Sequence, residues 1–395
     1  MEAELELARQ HFLQGNAHFD AERFDEARSC FEIALKLAPG RPSVLANLGV
    51  THFRLGHWQE AVPLLQQATA ADPAQLDAWI CLGMSHEALA QWQPAVNALT
   101  QALAMDPNRA GVWAAFGRCQ LRLGLPGPAL QAFDRAVTLD PELAMAWSDL
   151  GSLLREMNRL DDAARCFERA IALGADPELH AYYLASVRGD GAAAPPRKYV
   201  EGLFDDYAAE FESHLVGKLQ YRGHEVLLGP LLSGGRRYRT VLDLGCGSGL
   251  CGALIAPHAD AIHGVDVSAA MLEQARALGV YRELVHADLA PFLAATALRA
   301  DLVVAADVFV YVGDLAEVFR SVRRILEPAG CFAFTLEKAA AGEDLTLMPN
   351  LRYAHSESYV RSLAAASGFA VRALFTATLR HGHAGPIAGL YAYLE

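Results

Sequence analysis

The sequence predicts a multidomain chain: an all-α helical-repeat solenoid followed by an α/β domain built on a mostly parallel sheet. Three observations carry that expectation. Small residues recur every 34 positions through the first half. A linker rich in Gly, Ala and Pro follows. Beyond it, apolar strand-like runs alternate with helical stretches, which is the pattern of strands crossing over through helices.

The repeat comes first. Gly15, Gly49, Gly83, Gly117 and Gly151 are spaced by 34, as are Ala27, Ala61, Ala95, Ala129 and Ala163. Trp79, Trp113 and Trp147 keep step, and Pro39, Pro73, Pro107 and Pro141 close four of the units. Each unit reads as two antiparallel helices. The Gly and Ala positions let the helices approach, the Trp, Leu and Phe positions fill the gaps, and proline stops the second helix. The pattern resembles the tetratricopeptide repeat, with five units over roughly residues 8 to 177. The resemblance implies a right-handed solenoid whose concave face binds a protein or peptide. Asn16 and Asn47 fall at two positions of the clamp that takes chaperone-tail carboxylates. Its basic positions hold Phe12, Asp77 and Cys81, so the likeness stops short of that clamp. Cys30, Cys81, Cys119 and Cys166 read as small packing residues.

Residues 178–187 read as a capping helix, and 191–197 as the linker between a solenoid over 1–190 and a second domain over 198–395. After the linker, Leu203, Phe204, Tyr207, Ala208 and Phe211 recur at helical spacing. Strands are expected at 241–244, 261–267, 283–287, 302–308 and 331–336. Two more, at 369–379 and 387–394, are too close for a crossover and must pair antiparallel.

Composition bounds the partners. The net charge of -13 argues against a nucleic-acid backbone as the main ligand. The seven cysteines show no metal spacing and fit a reducing compartment. The acidic start lacks the basic end and apolar run of a signal peptide, and no apolar run is long enough for a membrane span. A cytoplasmic location is therefore expected.

The stretch from Val241 to Gly249 carries the chemistry. Apolar residues around Asp243 run into Gly245, Gly247 and Gly249, which reads as a buried strand, a tight turn and a helix opening at Leu250. Such a turn lets a ligand lie against bare backbone and aims N–H groups at it. Asp266 closes the next strand about twenty residues on, where a nucleotide site places its ribose carboxylate. It could equally cap the following helix, or leave that to Ser268. Gly247 to Gly252 literally matches the dinucleotide pattern, which keeps a nicotinamide-dependent oxidoreductase open. Asp243 inside the strand, Asp288 ending the third strand, and the terminal antiparallel pair point elsewhere.

Together these features resemble the class I S-adenosylmethionine-dependent methyltransferases, Rossmann-like domains with a seven-stranded sheet, over about residues 199–395. The likeness implies S-adenosylmethionine as cofactor. Asp243, Gly245, Gly247 and Gly249 would hold its methionine end, Asp266 the ribose, Val267 the adenine face, and Asp288 with Leu289 the adenine edge. Asp307 and Val308 would border the methyl group. Phe204 and Tyr207, in the segment 204–211, look like the lid of a bacterial group of methyltransferases carrying tetratricopeptide repeats. The stretch 351–356 and the pair Arg380 and Gly389 look like that group too. Candidate acceptor-side residues are His355, whose ordinary pKa suits a base, with Tyr353, Tyr311 and, from the lid side, His214. For His355 a helix N-terminal contact is an equal alternative, with Ser356 as the cap. His381 and His383 read as hairpin-loop residues. No Asn-Pro-Pro-Tyr-like motif follows the fourth strand, which favours O-methylation of a small-molecule or carrier-borne acceptor. The alternative is a scaffold in which the nucleotide fold only senses its cofactor.

Overall fold

A computed structural model describes residues 2–190, 195–208, 217, 220–382 and 385–395; the side chains at 2, 206, 207 and 382 lie outside that description. Phe211, His214 and His383 from the sequence reading fall outside it as well. The chain divides into two compact units, Met1–Ala175 and Asp176–Glu395.

The first unit is a succession of helix pairs: α1 (Glu2–Asp20) with α2 (Phe24–Leu37), α3 (Pro42–Arg54) with α4 (Trp58–Ala71), α5 (Leu76–Ala88) with α6 (Trp92–Met105), α7 (Ala110–Arg122) with α8 (Pro126–Leu139), and α9 (Ala144–Glu156) with α10 (Leu160–Ala172). The periodic glycines do what their spacing suggests. A methyl on Gly15, Gly117 or Gly151 would lie 2.5, 2.6 or 2.8 Å from the ring of Phe31, Phe133 or Phe167. Only a bare Cα admits those rings, each of which is fully buried.

Two further regularities follow the same period. The turn inside each pair holds one residue in the left-handed region: Glu22, Gly56, Ala90, Gly124 and Asn158, with φ of 57°, 75°, 55°, 76° and 59°. Between pairs, Asp72, Asp106 and Asp140 accept the backbone N–H two residues on, at 3.1, 3.0 and 3.0 Å. Each such Asp leaves its helix and precedes a proline, so the side chain satisfies the turn that proline starts. Trp79, Trp113 and Trp147 donate their indole N–H to the carbonyls of Pro73, Pro107 and Pro141 at 2.9, 2.8 and 2.9 Å. Asn16 and Asn47 bond to each other at 2.7 Å. Burial pushes the Cys81 and Cys119 thiols up to about 12, consistent with packing rather than reactivity.

The second unit opens with α11 (Pro177–Arg188), capped by Asp176, whose carboxylate accepts from Glu178 and Leu179 N–H. This helix was expected to cap the solenoid. Within the second unit, Tyr182 is buried with Leu347, Leu351 and Tyr353 and donates its hydroxyl to Leu351 O at 2.8 Å. The boundary between compact units therefore precedes the Gly/Pro stretch. Next come α12 (Arg197–Tyr207) and α13 (Gly223–Leu232).

The sheet follows: β1 (Tyr238–Leu244), α14 (Leu250–Ile255), β2 (Ala259–Asp266), α15 (Ala269–Ala277), β3 (Glu283–His286), α16 (Leu289–Ala295), β4 (Ala300–Ala305), α17 (Ala316–Ile325), β5 (Leu326–Lys338), β6 (Leu345–Leu347), β7 (Tyr353–His355), α18 (Glu357–Ala366), β8 (Val371–Gly382) and β9 (Gly385–Leu394). β3, β2, β1, β4 and β5 run parallel in that order. β9 pairs antiparallel with β5, and β8 with β9. Both faces are covered, as a parallel sheet requires. Val241, Leu302 and Val304 pack beneath α13 and α14 on one side, while Leu242, Val303, Phe332 and Phe334 meet α17 and α18 on the other.

Seven strands were expected and nine are present among the described residues. The additions are β6 and β7, three residues each, which form a hairpin joined to the C-terminal tip of β5. Runs that short show no periodicity in sequence. The order reverses between β1 and β4, so their C-terminal ends splay around a crevice, the usual ligand position in open α/β sheets. Among the described residues, no helix is long and apolar enough to cross a membrane.

Candidate active site

A cavity of about 450 Å³ opens at that crevice. Its floor is the turn after β1. Gly245, Gly247 and Gly249 all take positive φ, at 62°, 53° and 98°. Gly245 also must be bare, because a methyl there would lie 2.6 Å from Val308 Cγ2 across the crevice. Gly245, Cys246, Gly247 and Ser248 line the cavity.

Carboxylates stand at three strand ends around this turn. Asp266 ends β2, and its two oxygens accept Gly247 N–H at 2.8 Å and Ser268 N–H at 2.9 Å. Ser268, not Asp266, caps α15, accepting Met271 N–H at 3.1 Å. Asp266 is thereby left to brace the glycine turn and face the cavity. Burial raises its pKa, against the pull of those N–H bonds. Asp288 does cap its helix, accepting Ala290 N–H at 3.1 Å through Oδ1, and it also lines the cavity with Leu289 and Val267. Asp307 follows β4 with φ of 60°, a backbone state that costs a non-glycine residue roughly 1–3 kcal/mol. Its N–H is held by Thr335 Oγ1 at 2.8 Å and its carboxylate by Arg380 at 2.7 Å. Arg380 is 3% exposed and also donates to Glu337.

One wall is largely apolar and comes from α12. Val200, Leu203 and Phe204 line the cavity from that helix. Phe204 meets Tyr311 edge-on at 5.2 Å. The helix is tied down on its polar side: Asp205 accepts Ser268 Oγ–H at 2.6 Å, and Glu201 lies 3.4 Å from His286. Tyr207 ends α12, with its side chain outside the described residues.

The sequence candidates are not all brought together. Gly245, Gly247, Asp266, Val267, Asp288, Leu289, Asp307, Phe204 and Tyr311 line the one cavity. Asp243 and Gly249 do not; they shape the turn from behind, Asp243 by accepting the Tyr281 hydroxyl at 2.7 Å. His355 and Tyr353 require correction as acceptor-side residues. Both are fully buried in β7 and neither lines the cavity. His355 Nε2 bonds Gly313 O at 2.7 Å, and burial holds its pKa down to about 4. The miss has a simple cause: β7 is buried on both faces, Ala354 as well as Tyr353 and His355. Ser356 caps α18, accepting Tyr359 N–H at 3.0 Å. Tyr311 lines the cavity, but burial raises its pKa.

Four lining residues were given no role by the sequence, although Ser248 lies in the glycine turn and Arg352 in the stretch 351–356. Tyr221 Oη, His224 Nδ1, Ser248 Oγ and Arg352 Nη1 are buried atoms without a hydrogen-bond partner in the protein, and all four residues line the cavity. Tyr221 and His224 stack at 5.3 Å. Burial lowers the His224 pKa, which favours a neutral imidazole. Buried polar atoms are nearly always satisfied in folded proteins. Four orphans around one volume mark a site shaped for a polar ligand.

Comparison with known proteins agrees with this geometry. A tetratricopeptide repeat model matches residues 12–79 and 81–144, a second one 146–181, and a methyltransferase domain model 242–332. Among relatives, malonyl-(acyl-carrier protein) O-methyltransferase of Legionella pneumophila is 42% identical over 103 residues, covering 25% of this chain and 36% of that protein. Dimethylglycine N-methyltransferase of Parasynechococcus marenigrum is 34% identical over 128 residues, 31% of this chain and 44% of that one. The match thus spans between a third and a half of each of these relatives. The crystal structure of MamA is 23% identical with a TM-score of 0.38, covering 40% of this chain and 93% of that one. Tetratricopeptide repeats between residues 12 and 181 are therefore followed in this chain by a methyltransferase domain that its family model matches over residues 242–332.

Proposed function

We propose that the second unit transfers the methyl group of S-adenosylmethionine to a small-molecule or carrier-borne acceptor, with oxygen the favoured atom, and that the repeats recruit a protein partner. The observation that carries this reading is the convergence of the glycine turn, Asp266 and Asp288 on one cavity.

In that reading the cofactor supplies a methyl carbon activated by its sulfonium. The chain positions it. Gly245, Gly247 and Ser248 offer backbone and one free hydroxyl to the methionine end. Asp266 takes the ribose hydroxyls; each oxygen spends one acceptor site on a backbone N–H and keeps another. Asp288 keeps Oδ2 for the adenine amine while Oδ1 caps α16. Val267 and Leu289 flank the ring. Asp307, fixed by Arg380 and Thr335, stands nearest the switch point of the sheet, and Phe204 and Tyr311 keep water from that end. Methyl transfer from a sulfonium is an in-line displacement that needs no acid for the leaving group, so alignment and water exclusion do most of the work. A base is needed only for an acceptor that must lose a proton; of the two histidine candidates, His355 lies off the cavity and His214 lies outside the described residues.

Titration calorimetry with S-adenosylhomocysteine and with NAD tests the reading. Binding of the former and not the latter is expected, followed by transfer of labelled methyl from S-adenosylmethionine to a fraction of cell extract. Absence of S-adenosylhomocysteine binding refutes it. Binding without transfer to any fraction supports the cofactor-sensing scaffold instead.

A further inference from the structure

We infer that Arg352 is the anchor for a carboxylate on the methyl acceptor, which makes the acceptor an organic acid. The inference rests on the methyltransferase reading of the cavity and names the substrate class within it.

Arg352 is built into place. It closes the turn between β6 and β7, where Met348 N–H donates to its carbonyl at 2.9 Å and Asn350 Oδ1 accepts its own N–H at 3.0 Å. Leu351 before it takes a positive φ of 63°, and Tyr182 holds the Leu351 carbonyl. The guanidinium lies 5.3 Å from the centroid of Tyr311. Its nearest carboxylate is Asp307 Oδ2, at 3.9 Å, too far for a hydrogen bond. Asp307 is already engaged by Arg380 at 2.7 Å, and Glu337 by the same arginine. So the Asp307, Glu337 and Arg380 cluster has one cation for two anions, Arg352 restores neutrality, and yet its Nη1 makes no bond.

Arg352 lines the cavity, and a guanidinium N–H left without an acceptor there is costly unless a ligand oxygen completes it. The planar fork of arginine suits a carboxylate, and a tyrosine face beneath it pre-orients the fork. A phosphate suits the fork equally in shape, but Asp266, Asp288 and Asp307 also line the cavity. A dianion would meet their field more strongly than a single negative charge would, which favours a monocarboxylate at Arg352. Val200, Leu203, Phe204 and Tyr311 form the adjoining apolar wall, which suits an acid with an apolar body.

The test is calorimetry on the full chain saturated with S-adenosylhomocysteine. The probes are benzoate and monomethyl succinate, their uncharged amides, phenyl phosphate, and succinyl-pantetheine thioester. The carboxylates are expected to bind more tightly than the amides, and to weaken about ten- to hundredfold in Arg352→Gln. Arg352→Lys, which keeps the charge but not the fork, is expected to fall between. S-adenosylhomocysteine affinity of both variants, measured first, reports that they are folded. Tighter binding of the thioester assigns a carrier-borne acid, and tighter binding of monomethyl succinate a small-molecule one. Carboxylates that bind no better than amides, that ignore Arg352→Gln, or that bind more weakly than phenyl phosphate overturn the inference. Failure of S-adenosylhomocysteine to bind the unaltered chain instead removes the methyltransferase reading on which it stands.

Discussion

Asp243 sets a pH dependence that can be worked out from its surroundings. It is 1% exposed at the end of β1. Burial raises its pKa, helped by the neighbouring Asp266 charge and opposed by the Tyr281 hydrogen bond, from 3.8 to about 7. The folded chain therefore holds a proton there that the unfolded chain has lost. Between those two values stability falls as pH rises, because folding takes up a proton. About three pH units at roughly 1.4 kcal/mol each give about 4 kcal/mol, fully present below pH 4 and gone above pH 7. Asp243→Asn removes the titration while keeping an oxygen for Tyr281. At pH 4 the two proteins should unfold alike. At pH 8 the variant should be more stable by about 2–4 kcal/mol. Scanning calorimetry from pH 4 to 8 measures this on the transition of the second unit. The reasoning fails if the difference between variant and parent stays flat across that range.

Four other outcomes follow from particular contacts. Arg380→Met leaves Asp307 and Glu337 buried without their cation and should cost about 3–5 kcal/mol, read as a lowered calorimetric midpoint. Asp266→Asn replaces a charged acceptor of two backbone N–H groups and of the proposed ribose contact; S-adenosylhomocysteine affinity should drop at least about tenfold. His355→Ala should destabilise by about 1–3 kcal/mol through the unpaired Gly313 carbonyl, yet leave S-adenosylhomocysteine affinity within about twofold, since it lies off the cavity. Ala90→Gly relieves a left-handed alanine and should stabilise the repeats by up to about 1 kcal/mol. All five tryptophans lie in the first unit, so their fluorescence follows that last change alone.

The repeats were legible because their determinants are local and recur: Gly117 under Phe133 is the same contact as Gly15 under Phe31. The parallel strands were legible for a related reason. Buried strands such as 241–244 and 302–305 read as apolar runs, and Gly247 and Asp266 stand at fixed offsets from the first of them. The acceptor side was read less well. The segment around 351–356 was singled out, but His355 drew the attention that Arg352 earns by position, because titratability is visible in sequence and facing direction is not. Tyr221 and His224 reach the cavity only through the packing of α13 on β8 and α14. That is a contact between distant stretches, and no spacing in the chain encodes it. The same holds for α11, whose Tyr182 finds Leu351 across 169 residues.

The indole bonds of Trp79, Trp113 and Trp147 have a consequence for how such an array can change length. Each spans a single junction, from a proline just past one helix pair to the opening helix of the next. Duplicating or deleting one 34-residue block restores the identical junction on either side of the splice. Tandem copying of the gene segment can thus lengthen or shorten the solenoid in whole steps, while a cut out of phase strands an indole and a helix end at once.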